Sequence, residues 1–141
     1  CQVFPQLWHG DTITEKTLGL QEASIGLLDI DTPPLIVGGL SDPVLGVAAR
    51  HADIWNGSAD NLHKWARNAV RLDEACSRSG RNRQIEKEGQ LFADSFAQND
   101  RFPGLRDHLD SLQASGATRA VIVLHQIRGP QAVEQLAEAV L

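Results

Sequence analysis

The segment Pro33-Pro34-Leu35-Ile36-Val37-Gly38-Gly39-Leu40-Ser41-Asp42-Pro43-Val44 constrains the fold more than any other stretch of the chain. A short apolar run stops at a glycine pair and restarts, within a few residues, as a helix. Ser41 or Asp42 is placed to cap that helix and Pro43 suits its first position. Val44, Leu45, Val47 and Ala48 give it an apolar face. A strand that runs directly into a helix is the opening of a βα unit. The same turn aims backbone N–H groups at one point in space, a geometry that suits an anionic group such as phosphate.

The alternation recurs downstream. Residues 51–57 read as a second short strand with a polar tip. Leu62, Trp65, Ala66, Ala69, Leu72, Ala75 and Cys76 fall at three- and four-residue spacings and predict a helix over 60–79. Gly80 supplies its left-handed stop, and Arg78, Arg81 and Arg83 suit the negative end of its dipole. A third strand is expected over 88–94. Pro103 opens a helix carrying Leu105, Leu109 and Leu112, which Gly116 ends. The continuous β-branched run at 120–124 predicts a strand buried on both faces. Pro130 begins a last helix with Val133, Leu136, Ala137 and Val140 turned inward. Residues 1–32 are less regular: 7–14 read as a helix end with a glycine stop and an extended arm, and 18–31 as a surface hairpin or extended excursion. No tight hairpin dipeptide joins consecutive strands. The fold class is therefore α/β, with parallel strands alternating with helices. Four such units would make half of a (β/α)8 TIM barrel, with a flavodoxin-like open sheet as the structural competitor.

Composition narrows the function classes. At 141 residues and 42% hydrophobic content the chain is one domain with a real core. Its net charge of -5, with both signs interleaved, offers no basic face to nucleic acid. The apolar runs are too short to span a bilayer, and the N-terminus has no signal-peptide pattern, so a cytoplasmic protein is expected. Cys1 and Cys76 have no metal or redox spacing and read as reduced thiols. His9, His51, His63, His108 and His125 are scattered, which predicts no metal site. The chain has no methionine and opens at Cys1 inside a helix-like phrase, which reads as a protein lacking an N-terminal part.

Longer phrases carry a family likeness. Pro34-Leu35-Ile36-Val37-Gly38-Gly39, followed by Ala48-Ala49-Arg50-His51-Ala52-Asp53-Ile54-Trp55-Asn56, resembles the luciferase-like monooxygenases and their F420-dependent relatives. The typical family phrase is PP-hydrophobic-IGG, a short polar loop, then AARxADxWN. Leu7-Trp8-His9-Gly10 is similar to the family's LW-x-G segment, and Cys76-Ser77-Arg78-Ser79-Gly80-Arg81-Asn82 to its C-x-x-x-GR-[DN] helix end. The resemblance covers most of residues 1–141, read as one partial barrel domain corresponding to the C-terminal half of a member. It implies an oxidoreductase or monooxygenase that uses FMN or coenzyme F420, which the residues present do not distinguish, on a small organic substrate. It also implies that Gly38, Gly39, Ser41, Pro43 and Val44 approach the phosphate-bearing tail of the cofactor. The family's ring-facing residues fall outside the match, so no catalytic residue is assigned.

Each candidate has a plainer reading. Gly38-Gly39 is a tight turn that needs small residues. Asp42 would repel a phosphate and is expected to turn back and cap its helix. Trp55 is expected in the core, and Asn56 either meets a ligand or caps the next helix. Asp53 is expected to pair with Arg50 as a structural salt bridge, and His51 to be an ordinary helix-end histidine. Dipole complementation accounts for Arg78, Arg81 and Arg83. His125 and Arg128 follow the strongest strand and are weak ligand candidates. Two further functions stay open: a non-redox phosphate-binding α/β domain, and an inactive half barrel. Unpaired edges of a half barrel favour self-association, a homodimer being the simplest form. Little or no turnover is expected of the 141-residue chain alone.

Overall fold

The computed structural model describes residues 3–25, 31–81, 83–98, 101–125 and 129–141. The chain divides into two compact units, Cys1–Leu35 and Ile36–Leu141. In the first, helix α1 (Val3–Trp8) carries a Phe4–Trp8 ring stack and ends before Gly10, whose φ of 84° supports the expected glycine stop. Strands β1 (Ile13–Glu15) and β2 (Leu20–Ala23) pair antiparallel, so the hairpin joins the expected arm to the start of the 18–31 stretch rather than lying within that stretch, of which 26–30 fall outside the described residues. A single 3-10 turn joins them. The Glu15 carboxylate accepts from both Thr17 N (3.0 Å) and Thr17 Oγ1 (2.6 Å), which fixes the turn and holds Glu15 below the usual carboxylate range.

The second unit is the expected alternation: β3 (Ile36–Gly38), α2 (Asp42–His51), β4 (Ile54–Ser58), α3 (Leu62–Ser79), β5 (Glu86–Phe92), α4 (Leu105–Ala114), β6 (Arg119–Val123) and α5 (Pro130–Val140). Every strand pair is parallel, in the order β3-β4-β5-β6, so spatial order follows chain order. This is the succession of a partial (β/α)8 barrel; a flavodoxin-like sheet reverses direction at a switch point. Strand alternation places Val37, Trp55, Leu91 and Ile122 on one face. There they pack against Leu45 and Ala48 of α2, Trp65, Ala69 and Leu72 of α3, Leu105 and Leu112 of α4, and Leu136 of α5. The spacing that predicts the long helix is the spacing that buries it. Trp65, Ala69, Leu72 and Ala75 lie inward, Asn61 caps the start by accepting from Lys64 N (2.9 Å), and Gly80 ends it in the left-handed conformation.

Two expectations are corrected. The run at 120–124 is not buried on both faces: β6 pairs with β5 alone among the described strands, and Val121 remains 37% exposed on the face opposite the helices. In α5 Leu136 is buried and Val140 packs against the core as expected, but Ala132 is buried in place of Val133, which is 51% exposed, and Ala137 faces outward. The helix is rotated about its axis relative to the stripe read from its valines.

Close approach between layers depends on Gly89. A Cβ there would stand 2.5 Å from Leu112 Cδ2 and 3.0 Å from Ala59 Cβ, and all three residues are buried. Gly89→Ala should therefore lower stability by about 1–3 kcal/mol, through overpacking. Urea unfolding followed by tryptophan fluorescence measures this directly.

Candidate functional site

The loop after β3 is built by one glycine rather than by two. Gly39 has a φ of 139°, and a Cβ at that position would meet Val44 Cγ1 at 2.8 Å, so this position demands glycine. At Gly38 the nearest atom is Asn56 Oδ1 at 3.7 Å, an ordinary contact; its missing side chain leaves space rather than relieving strain. Gly39 is gripped through both peptide groups. Its N–H donates to Asn56 O (3.1 Å), and its carbonyl accepts from the Trp55 indole Nε1 (2.8 Å). Trp55 itself is fully buried and packs on Trp65 at 5.6 Å between ring centroids, as the core reading expected.

The Gly39 N–H is committed to the ladder, so the donors left near the turn come from the start of α2. Ser41 occupies the N-cap position without a side-chain cap bond, and first-turn amides such as those of Asp42 and Val44 have no partner within a helix. Pro43 lies in that first turn and contributes shape but no donor. Asp42 is the first helical residue and does not cap; its carboxylate reaches across to Arg71 of α3 at 2.5 Å. The acidic side chain at this helix start, Asp42, is thus paired with a guanidinium.

The remaining strand ends are tied together in sequence. Asp60 stands two residues beyond β4 and accepts from Phe92 N (3.0 Å) and Ser58 Oγ (3.1 Å). Asp94 stands two residues beyond β5 and accepts from His125 N at 2.9 Å. Each aspartate follows a fully buried alanine, Ala59 and Ala93, so the same Ala-Asp pair closes successive strands. His108 of α4 reaches the same edge, with Nε2 2.7 Å from Ala59 O and its ring edge-on to Phe96. His125 lies edge-on against Phe92, 4.7 Å between centroids. These loops sit at the carboxyl ends of the strands, where barrels of this kind place their chemistry.

On the sheet face away from the helices runs one polar row, Gly38–Asn56–Glu88–Arg119. Glu88 is 3% exposed and is held on both oxygens, by Asn56 Nδ2 (2.7 Å) and Arg119 Nε (3.2 Å). Asn56 therefore neither caps α3, a task taken by Asn61, nor points its amide N–H group at open space. Glu88 and Arg119 were not legible as a pair, since 31 residues separate them. The repeated Ala-Asp at strand ends was a readable signal for Asp60 and Asp94.

Other expected contacts differ in partner. Asp53 pairs with Arg83 (2.5 Å) rather than Arg50, because the chain entering β5 passes closer than the end of α2. The basic cluster separates into three tasks: Arg78 pairs weakly with Glu74 (3.9 Å), Arg81 donates to the Ala49 carbonyl (3.3 Å) near the end of α2, and Arg83 holds Asp53. His51 ends α2, and burial together with the neighbouring Arg50 charge lowers its pKa. Cys76 is a free cysteine whose thiol is pushed up by burial and by Asp73. Cys1 and Arg128 lie outside the described residues. Among the described residues no cluster of metal-ligand type occurs, and no helix is long and apolar enough to cross a membrane.

No protein-family model matches the chain, and no curated protein sequence does. Solved structures do. An F420-dependent secondary alcohol dehydrogenase in complex with an F420–acetone adduct superposes with a TM-score of 0.74 at 12% identity, over 99% of this chain. A coenzyme F420-dependent tetrahydromethanopterin reductase from Methanopyrus kandleri gives 0.62 at 14% identity, over 96%. The chain shares their fold. It spans 59% of the length of each.

Two outcomes follow. Glu88→Ala should cost about 2–3 kcal/mol, because it strips a buried acceptor from Asn56 and Arg119, and Glu88→Gln should cost less, since the amide oxygen still accepts one bond; chemical denaturation measures both. At a given pH a raised thiol pKa means less thiolate. Peptide-resolved alkylation of Cys76 by iodoacetamide at neutral pH should accordingly be slower in the folded chain than in urea, with the gap narrowing as pH rises through the alkaline range.

Proposed function

We propose that this chain forms the phosphate-side part of an F420- or flavin-dependent oxidoreductase of the luciferase-like type, acting on a small organic substrate. The observation that carries the reading is the β3–α2 turn. A glycine obligate at position 39, first-turn amides without helical partners, and an Asp42 paired with Arg71 lie at the carboxyl edge of a barrel-type sheet. The fold similarity to two F420-dependent enzymes, a dehydrogenase and a reductase, favours the deazaflavin over FMN.

In this reading Gly38 and Gly39 let the backbone approach the cofactor tail, while Ser41 and Val44 offer N–H groups to its phosphate and Pro43 sets the direction of the helix start. When bound, the ring supplies hydride transfer, or oxygen activation in the flavin case. The chain's own part is to bind and orient the tail. Trp55 holds the carbonyl of Gly39 so that the loop does not have to order on binding, which lowers the cost of association.

Titration of the full chain with F420 and with FMN, followed by quenching of cofactor fluorescence, tests the proposal. Saturable binding of F420, weakened about tenfold or more by Gly39→Val through steric and backbone conflict at the loop, is expected. Binding of inorganic phosphate with no uptake of either cofactor would replace it with the non-redox phosphate-binding reading. Absence of all three would leave an inactive half barrel.

A further inference from the structure

A buried acid holds the Asn56 carboxamide in one orientation. On the sheet face away from the helices, Asn56 Nδ2 donates to Glu88 Oε1 at 2.7 Å. A carboxylate accepts and does not donate, so it takes the N–H side of the carboxamide and turns the oxygen the other way. Glu88 cannot swing aside to relax this choice. It is 3% exposed, Arg119 Nε reaches its second oxygen at 3.2 Å, and the Trp65 indole reaches its backbone carbonyl at 3.5 Å from the helix side. The backbone of Asn56 is held as well, because its carbonyl accepts the Gly39 N–H at 3.1 Å.

The far end of the carboxamide is free. Among the described residues Asn56 Oδ1 has no hydrogen-bond partner. It lies 3.7 Å from where a Cβ of Gly38 would stand, and the three atoms nearest that point all belong to Asn56. Gly38 is exposed and Asn56 half-buried, so the acceptor borders a notch open to solvent. Bracing the strand does not account for the Glu88–Arg119 pair, since well-packed apolar residues brace a strand as well as a buried ion pair does. Polarity is what the pair adds: it decides which atom of Asn56 faces the notch.

We propose that Asn56 Oδ1 and the space left by Gly38 form a subsite for the O–H or N–H donor of a small neutral molecule, such as an alcohol or a carboxamide, with Glu88 as the positioning residue that sets its polarity. A carboxamide free to flip offers a donor or an acceptor and selects weakly. A locked one sets lone pair against lone pair for any ligand that brings only acceptors, and so rejects it. Neither phosphate binding nor redox chemistry enters this assignment.

The test uses the full chain, labelled with 15N, and two probes of the same shape: acetamide, which carries N–H donors, and acetone, which has none. The Gly38 amide resonance and the Asn56 side-chain NH2 pair report binding. Saturable movement of both with acetamide, at an affinity about fivefold or more above that for acetone, is expected from one net hydrogen bond. Asn56→Ala should abolish the preference, read at Gly38. Glu88→Gln should reduce it to about twofold or less, because glutamine can meet the carboxamide with either its oxygen or its amide. A purely structural role for Glu88 would lower stability without moving the ratio of the two affinities. Glu88→Gln keeps an acceptor for Asn56 and so carries the test should Asn56→Ala fold poorly. No saturable response to acetamide, equal affinity for the two probes, or a preference unchanged in Glu88→Gln would each overturn the proposal. Failure of F420 and FMN to bind would remove the redox reading and leave this result standing.

Discussion

The fold turns on a single side chain that belongs to the core at one end and to the loop at the other. Trp55 packs its ring against Trp65 in the layer between sheet and helices, with no exposure to solvent. Its indole N–H crosses to the Gly39 carbonyl at 2.8 Å. A buried indole needs an acceptor, and here the acceptor is the backbone of the turn that faces outward from the strand ends. Packing of the interior and shape of the loop are therefore one problem. Burial of the ring fixes where the indole N–H must point, and that in turn fixes the peptide after Gly39.

Around this anchor the strand ends are closed in order. Asp60 after β4 accepts from Phe92 N of β5, and Asp94 after β5 accepts from His125 N, two residues beyond β6. Each bond satisfies a backbone N–H that the ladder leaves unpaired where its strands run out, and each keeps neighbouring loops in register. The glycine turn is joined to the same edge through Asn56, whose carbonyl takes the Gly39 N–H while its side chain holds Glu88. The edge that carries the candidate site is thus laced across strands rather than left as independent loops.

Much of this was legible from residues alone. The glycine pair, the Pro43 start and the apolar face of 62–79 specify βα units because their signals are local: cap chemistry, helical periodicity and a left-handed stop act over a few residues. Partner choice was less legible. Distance along the chain favours Arg50 as the partner of Asp53, yet Arg83 takes it because parallel strands bring the entry to β5 alongside the entry to β4. Asn56 looked like a cap or a ligand-facing amide for the same reason; nothing nearby in sequence announces Glu88.

The sequence by itself determined the alternation of strands and helices, the buried faces of the helices and the place of the glycine turn, since these follow from periodicity and backbone preference. Tertiary structure alone decided which glycine is obligate, which carboxylate is buried and which guanidinium shields Asp42. Gly39 and Gly38 are identical as letters and differ only in φ and in the approach of Val44. Glu88 and Arg119, or Asp42 and Arg71, become partners only once parallel pairing and helix packing bring positions about thirty residues apart within hydrogen-bond distance.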